Sequence, residues 1–188
     1  MAEGQNPVDF ELAGGKTLSV KTNQDALGKA APQRIGQPTS TTFFSLLKEL
    51  NILPEYNVYE ELRKKNLTDN YENRAILFKE LALSNIDKLM AAYWKNMFEC
   101  DYIIVFFNLE KKLDTLKNYR VFGFSVDGPK WEKSRFSFTR NLATWNESNT
   151  VKYAGITIGE FQAHRNRNCF KFRFNMNGIE KLLEQQII

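Results

Sequence analysis

The sequence predicts a mixed α+β fold, because its first half has helical periodicity and its second half is rich in short strands. Between residues 40 and 98, apolar side chains recur every three to four positions, which is the spacing of amphipathic helices. From residue 101 onwards, β-branched and aromatic runs alternate with turn-forming residues, which is typical of strands. A short hairpin precedes the helices, so we expect a mixed β-sheet flanked by helices.

The elements follow one another along the chain without an internal repeat. Residues 8–22 are predicted to form a β-hairpin, and residues 24–41 contain Gly and Pro without periodicity and are predicted to form a loop. Helices are predicted over residues 40–51, over 56–66 and over 70–98, the last as one helix or two. The predicted strands are, in order, DYIIVFFN, YRVFGFSVD, RFSFTR, TVKYAGITIGEFQAH and CFKFRFN, and a short helix in NGIEKLLEQQ closes the chain.

The composition excludes several classes of protein. With 188 residues, 43% of them hydrophobic and 15 of them Phe, the chain can build a hydrophobic core and is not expected to be disordered. No apolar run approaches the roughly 18 residues that a transmembrane helix needs, and the first residues lack the features of a signal peptide. Two cysteines are too few for a disulfide framework or a zinc cluster. We therefore expect a cytoplasmic protein with no membrane association.

Positive charge is concentrated in the second half of the chain. Residues 109–175 contain 13 Lys and Arg against 6 Asp and Glu, whereas the remaining residues contain 13 and 16. Such asymmetry favours an anionic partner, for which nucleic acid is the first candidate. The alternative is an ordinary solvated basic surface.

The hairpin combines acidic and basic side chains on one predicted face. Side chains alternate along a strand, so Val8, Phe10 and Leu12 are predicted to face the core. The opposite face then carries polar residues. A three-residue loop over residues 14–16 would pair Glu11 with Ser19 and Asp9 with Lys21. The predicted polar cluster is therefore Asp9, Glu11, Ser19 and Lys21.

Two carboxylates beside a lysine suit the hydrolysis of a phosphodiester. Carboxylate oxygens bind Mg²⁺, which activates a water and offsets charge on the phosphate. The lysine can orient the attacking water or stabilise the charge that develops in the transition state. The alternative is a solvent-exposed edge hairpin in which Asp9 and Lys21 form a surface pair of little energetic value.

The pattern NPVDFEL…LSVKTN resembles the signature of the PD-(D/E)XK nuclease superfamily. That signature is an Asp near the end of one strand, followed on the next strand by an acid-x-Lys tripeptide. The matching residues are Pro7-Val8-Asp9 and Ser19-Val20-Lys21, and the helices and the DYIIVFF strand extend the similarity to about residues 7–108. The segments KAAPQRIGQPTSTTFF and WNES…TVKYAGITIGEFQAHRNRNCFKFRF are similar to parts of type II restriction endonucleases.

The resemblance implies a restriction-endonuclease-like core that cuts double-stranded DNA at specific sites with Mg²⁺ as cofactor. Residues 1–188 would be a single nuclease domain, with 1–108 as the catalytic core and 109–188 as a β-rich DNA-binding part. Asp9 would be a metal ligand and Lys21 the catalytic lysine. A homodimer is expected, together with a cognate DNA methyltransferase that shares the system without binding stably.

The sequence departs from the family pattern in two places. Ser19 stands where the family usually has an acid, and Glu11 is the nearest replacement as a catalytic residue and metal ligand. Four other acids remain open as alternatives: Glu60, Glu61, Glu72 and Glu80. Only eight residues precede Asp9, and Glu3 is the one acid among them. The chain is therefore interpreted as truncated, divergent, inactive or dependent on a partner.

DNA-contacting side chains are expected after the hairpin, in the loops between the late strands and along the last strands. Gln and Arg can read base edges, and Lys and Arg can follow the phosphate backbone. The candidates are Thr22, Asn23, Gln33, Arg34, Gln37, Lys130, Lys133, Arg135, Arg140, Asn146, His164, Arg165, Arg167, Lys171 and Arg173. Several neighbouring residues are instead predicted to be buried: Trp131, Trp145, Phe170, Phe172, Phe174, Cys100 and Cys169.

The function predicted for the chain is therefore that of a type II site-specific deoxyribonuclease. Three alternatives remain at this point. The first is a non-catalytic nucleic-acid-binding module that keeps the fold, and the second is a structure-specific repair nuclease of the same fold. The third is a partner-binding domain that has no role with nucleic acid.

Overall fold

The computed structural model of the protein describes residues 8–22, 28–32, 34–97, 100–106, 119–123 and 128–188. Within these ranges there are nine strands and five helices. The strands are β1 (Phe10–Glu11), β2 (Thr17–Thr22), β3 (Lys29–Ala30), β4 (Tyr102–Phe106), β5 (Tyr119–Gly123), β6 (Phe136–Phe138), β7 (Ser148–Tyr153), β8 (Ile156–His164) and β9 (Cys169–Asn175). The helices are α1 (Ser40–Glu49), α2 (Val58–Lys64), α3 (Tyr71–Ser84), α4 (Ile86–Met97) and α5 (Met176–Glu184).

The strands form two sheets, and the predicted mixed α+β fold is confirmed. The first, here called the hairpin sheet, has the order β1-β2-β4-β5, and the second, the aromatic sheet, has the order β3-β9-β8-β7-β6. Only β2 and β4 are parallel among these paired strands. Strands β6 to β9 are consecutive antiparallel neighbours, and the early strand β3 joins their sheet at its edge, beside β9.

The parallel pair β2–β4 explains why the helices lie where they do in the sequence. Parallel neighbours cannot be joined by a tight turn and need a long crossover, and here helices α1 to α4 lie between the two strands in the chain. In the register of this pair, Ser19 lies beside Ile103 and Lys21 beside Val105. Ser19, Ile103 and Val105 are all buried, so they mark the face of the hairpin sheet that points into the core.

The helical segment predicted over residues 70–98 contains two helices. Helix α3 ends at Ser84, and Asn85 leaves the helical conformation with φ −126° and ψ 36°. The Asn85 N–H still donates to the Leu81 carbonyl at 2.9 Å, which closes the end of α3 before α4 begins at the next residue. The first three helices each begin after a side chain that accepts a backbone N–H: Thr39, Asn57 and Asn70.

The aromatic sheet packs its inner face against the helices through interlocking rings. Phe170 stacks on Phe78 of α3 with ring centroids 4.3 Å apart, and Phe172 stacks on Tyr93 of α4 at 4.4 Å. Stacked ring pairs of this kind stabilise the fold by more than the burial of their apolar area alone. The predicted burial is confirmed for Phe170, Phe172, Phe174, Trp131, Trp145, Cys100 and Cys169.

The burial predicted for the hairpin is confirmed for Val8, which packs against the core, and is wrong for Phe10 and Leu12. Phe10 is 58% exposed and Leu12 is 40% exposed, whereas Ser19 is 1% exposed. The reason is long-range: β4 presents Ile103 and Val105 on the side shared by Ser19, and those two side chains decide which face is buried. A short apolar alternation cannot reveal which side of a sheet a distant strand will cover.

No helix in the described part of the chain is long and apolar enough to cross a membrane.

A pair of phenylalanine substitutions tests this assignment of faces. Phe172→Ala should lower the free energy of unfolding by about 3–5 kcal/mol, because it empties a fully buried site. Phe10→Ala should change the same free energy by less than about 0.5 kcal/mol, because that ring is mostly in water. Urea unfolding followed by circular dichroism measures both. Comparable losses in the two variants would contradict the described faces of the hairpin.

Candidate active site and nucleic-acid interface

The hairpin turn lies one residue earlier than predicted. Phe10 is paired with Leu18 and Glu11 with Thr17, and the Leu12 N–H donates to the Lys16 carbonyl at 2.7 Å. The loop is therefore residues 13–15, in which Gly14 and Gly15 have φ of 80° and 74°. The predicted pairs of Glu11 with Ser19 and of Asp9 with Lys21 are wrong. The loop keeps its three-residue length, so odd-numbered residues still face odd-numbered ones.

The corrected register brings Asp9 to Ser19. The Oδ2 atom of Asp9 accepts a hydrogen bond from the Val20 N–H at 2.6 Å and another from the Ser19 hydroxyl at 3.1 Å. The Val20 hydrogen bond is the main cause that lowers the pKa of Asp9; burial opposes it, and Ser19 and the charge of Lys21 add to it. Asp9 is therefore a carboxylate at neutral pH, held at the edge of β2 by one of its two oxygens.

Lys21 lies beyond Ser19 on the face of this pair, and Glu11 lies on the turn side of Asp9. Lys21 is half-buried two residues beyond Ser19 on the same face of β2, and its charge acts on Asp9. Glu11 lies beside Thr17 on the other side of Asp9, towards the turn, and is exposed. The structure thus brings together Asp9, Ser19 and Lys21 of the four predicted catalytic residues.

Three of the four alternative acids on the helices form ion pairs elsewhere. Glu61 binds Lys64 at 2.9 Å and Glu80 binds Lys65 at 2.6 Å, both within the helical layer. Glu72 of α3 binds Arg165 at 2.9 Å. Glu60 lines a cleft between α1 and α2. Within the described ranges, no three His, Cys, Asp or Glu side chains come together in a group that could hold a metal ion.

A second carboxylate, which sequence reasoning missed, fixes the position of the site. Asp101 precedes β4 and accepts hydrogen bonds from the Thr17 N–H at 2.9 Å and from the Thr17 hydroxyl at 3.0 Å. It also binds the Lys16 ammonium at 2.8 Å. The Lys16 hydrogen bond and those of Thr17 lower the pKa of Asp101 to about 2. An Asp directly before a buried strand was the available signal, but its partners lie more than eighty residues earlier in the chain.

The predicted basic residues of β9 lie on the outer face of the aromatic sheet. Lys171 and Arg173 are half-buried on the side opposite the phenylalanines. Arg173 binds Glu160 of β8 at 3.1 Å, and Glu160 also binds Lys29 of β3 at 2.8 Å. This outer face is therefore polar, and it carries more positive than negative charge.

Other predicted DNA contacts lie at opposite ends of this sheet. Arg165 and Arg167 occupy the turn between β8 and β9, and the loop with Arg140 and Asn146 is adjacent, since the Ala163 N–H donates to the Glu147 carbonyl at 2.8 Å. A second group lies by the turn between β7 and β8, where the Ala154 N–H donates to the Arg135 carbonyl at 2.9 Å. The ends are about 27 Å apart, the length of the nine-residue strand β8 that joins the two turns. That second group comprises Lys130, Lys133 and Arg135.

Several of these side chains already have partners in the protein. Lys133 donates to the Ser84 carbonyl at 2.5 Å, and the Arg135 guanidinium lies 4.9 Å from the centre of the Tyr153 ring. Arg34 forms an ion pair with Glu49. Two predicted DNA contacts have exposed side chains: Thr22, at the end of β2, and Gln37, beside β9. Two others lie outside the described residues: Asn23 and Gln33.

Comparison with known proteins finds sequence similarity to a restriction enzyme. The chain is 29% identical over 171 residues to the type II restriction enzyme CviAII of Paramecium bursaria Chlorella virus 1. The match covers 91% of this chain and 42% of that enzyme, so the chain spans less than half the length of its relative. The chain is a distant homologue of a type II restriction enzyme. No protein-family model and no solved structure matches it.

The Asp101 contacts predict how stability depends on pH. Because folding lowers the pKa of Asp101, its contribution is complete above about pH 5 and is lost as the pH falls towards about 2. Asp101→Asn should therefore be less stable than the wild type near neutral pH, and the difference should shrink below about pH 4. Urea unfolding at several pH values measures this. A difference that stays constant down to pH 2 would contradict the Asp101–Lys16 pairing.

Proposed function

We propose that this protein is a Mg²⁺-dependent, site-specific endonuclease of double-stranded DNA, and that Asp9 and Lys21 form its active site. The observation that carries the proposal is the similarity to a type II restriction enzyme over 91% of the chain. The match extends over nearly the whole chain, as expected for a shared fold and activity rather than for one shared motif. The grouping of Asp9, Ser19 and Lys21 on the hairpin supports the same activity.

The donor set at Asp9 fits Mg²⁺ that is completed by water and by the substrate. Within the described residues, hydrogen bonds to the Asp9 carboxylate reach Oδ2, so Oδ1 can coordinate. Mg²⁺ commonly keeps several waters and binds through one or two carboxylates together with substrate phosphates. When bound, the ion would offset phosphate charge and make a water more acidic. The PD-(D/E)XK architecture remains part of the proposal on the strength of the hairpin pattern.

The residues of this chain have separate roles in the proposed reaction. Asp9 stays ionised at neutral pH, because the Val20 N–H, the Ser19 hydroxyl and Lys21 all favour its charged form. Lys21 carries its ammonium on the same face and would orient the attacking water or stabilise the charge on the phosphate in the transition state. Ser19 holds Asp9 in position by donating a hydrogen bond, and burial at this point disfavours a second carboxylate beside Asp9.

The second half of the chain would supply the DNA contacts. The turn with Arg167 and the loop with Arg140 carry exposed cations that would follow the phosphate backbone. Two copies related by a two-fold axis would cut both strands of a duplex, so a homodimer is part of the proposal. A methyltransferase of the same specificity would protect the host DNA.

Plasmid cleavage tests the proposed activity. In about 5–10 mM Mg²⁺, a range suited to carboxylate sites, the wild type should give discrete bands, and EDTA should abolish them. Asp9→Ala and Lys21→Ala should each lower the cleavage rate by at least about 10²-fold. Lys64→Ala and Glu184→Gln, at exposed positions on α2 and α5, are matched controls that should cut like the wild type.

Other outcomes favour other functions. DNA binding that weakens with salt but persists in EDTA and in Asp9→Ala, without cleavage, would indicate a non-catalytic binding module. Cleavage of branched or flapped DNA regardless of sequence would indicate a repair nuclease. Cleavage that survives both Asp9→Ala and Lys21→Ala would show that the hairpin is not the active site.

A further inference from the structure

Three side chains that can read bases lie in one row across the outer face of the aromatic sheet. The Phe172 N–H donates to the Gly36 carbonyl at 2.9 Å, on one side of β9. In an antiparallel pairing, this hydrogen bond places Gln37 opposite Lys171. On the other side of β9, Gln162 of β8 is paired with Lys171. Opposite residues share a face with Cβ atoms about 5 Å apart, so the three side chains are neighbours.

The pairing continues beyond this row. Thr39 forms a bridge with Cys169, and the Ser40 N–H donates to the Asn168 carbonyl at 2.8 Å. The segment that the sequence assigned to a loop therefore runs along β9 like an extra strand. Gln37 is exposed on it, which leaves its amide available to a ligand.

Gln162 is held in a fixed orientation by His164. The two side chains meet with His164 Nε2 2.9 Å from Gln162 Oε1. An amide oxygen only accepts hydrogen bonds, so Nε2 is the donor. The Gln162 NH₂ group and a second lone pair on Oε1 remain available. Gln162 is thus a pre-oriented donor and acceptor, and His164 is its positioning residue.

The charges around the row favour an anionic ligand. Burial, with the nearby Arg173 and Arg167 adding to it, lowers the pKa of Lys171. The carboxylate of the neighbouring row, Glu160, is bound to Lys29 and Arg173 and so is already neutralised. A polyanion laid on this face would relieve the repulsion among the cations.

We propose that Gln37, Lys171 and Gln162 read base edges in the major groove and determine the sequence specificity of the protein. This inference rests on the proposed function, which supplies the DNA substrate. A glutamine amide pairs with the N6 and N7 atoms of adenine, and a lysine ammonium pairs with O6 and N7 of guanine. The row crosses three strand positions and spans about 10 Å, which corresponds to about three base pairs.

Selection from a random duplex library tests the row without requiring cleavage. The wild type, in EDTA, should enrich a defined sequence. Gln37→Ala and Gln162→Ala should each lower discrimination at one or two base positions roughly 5- to 150-fold. Neither should change the salt dependence of binding, because neither removes a charge. Gln185→Ala, an exposed amide at the end of α5, is the matched control and should keep the wild-type preference.

A phosphate contact should behave in the opposite way. Arg167→Ala should keep the base preference and reduce the slope of log affinity against log salt by about 0.9. Gln162→Glu keeps the shape of the side chain and can only accept hydrogen bonds, so preference at its position should move from adenine towards cytosine. This variant covers the case in which an alanine variant fails to fold.

The outcomes separate this inference from the proposed nuclease activity. If the wild type selects a sequence but does not cut DNA, the proposed nuclease activity is wrong. The glutamine variants would still test whether Gln37 and Gln162 read bases. Folded Gln37→Ala and Gln162→Ala proteins that keep the wild-type preference at every position would overturn the row. A wild type that binds duplexes without any preference would also overturn it.

Discussion

The parallel pairing of β2 with β4 is the constraint on which the candidate site depends. The pair brings together segments more than eighty residues apart, and Asp101 holds it at one end through Thr17 and Lys16. A slip of one residue would send every side chain of β2 to the other face. Ser19 and Lys21 would then both leave the core side of the sheet. The position of the proposed catalytic lysine is thus a consequence of strand register.

The same strand leads directly to the second sheet. Strand β2 ends at Thr22 and β3 begins at Lys29, so at most about 25 Å of chain separates the two. Lys29 is paired with Asn175 at the end of β9, and the Met176 N–H donates to the Gly28 carbonyl at 3.0 Å where α5 begins. Helix α5 is tied back to the hairpin sheet, because Glu180 binds Arg120 of β5 at 2.6 Å. The proposed cutting site and the proposed reading face are therefore connected by a short length of chain and by the ion pair between Glu180 and Arg120.

Local patterns in the sequence correctly predicted the features that depend on neighbouring residues, namely the helices and the alternating burial in β9. Helical periodicity predicted α1 to α4, and the alternation in CFKFRFN predicted which residues of β9 are buried. The prediction for the hairpin failed in its register and in its buried face. Gly14 and Gly15 allow either of two turn positions, and the buried face is set by Ile103 and Val105 of a distant strand. Even so, Asp9, Ser19 and Lys21 share a face, because a three-residue loop keeps the parity of the pairing.

The candidate DNA residues show the same division between local and long-range information. Sequence patterns favoured Gln37 and Lys171 separately, one as a loop residue and one on a strand. Their alignment depends on backbone hydrogen bonds between segments more than a hundred residues apart, and no local pattern singled out Gln162. The charge distribution along the sequence suggested one basic surface, but the fold places its cations at opposite ends of one sheet. Composition could not predict which of these side chains lie close together.

The most direct test of the central claim is to locate the metal site in solution. Mn²⁺ prefers the same carboxylate and water ligands as Mg²⁺, and its unpaired electrons broaden nearby amide signals in a ¹⁵N spectrum. The account predicts that a Mn²⁺ titration broadens the amides of Asp9, Ser19 and Lys21 first, and that Asp9→Asn removes this effect. Broadening centred on the acids of α2 and α3, unchanged by Asp9→Asn, would contradict it.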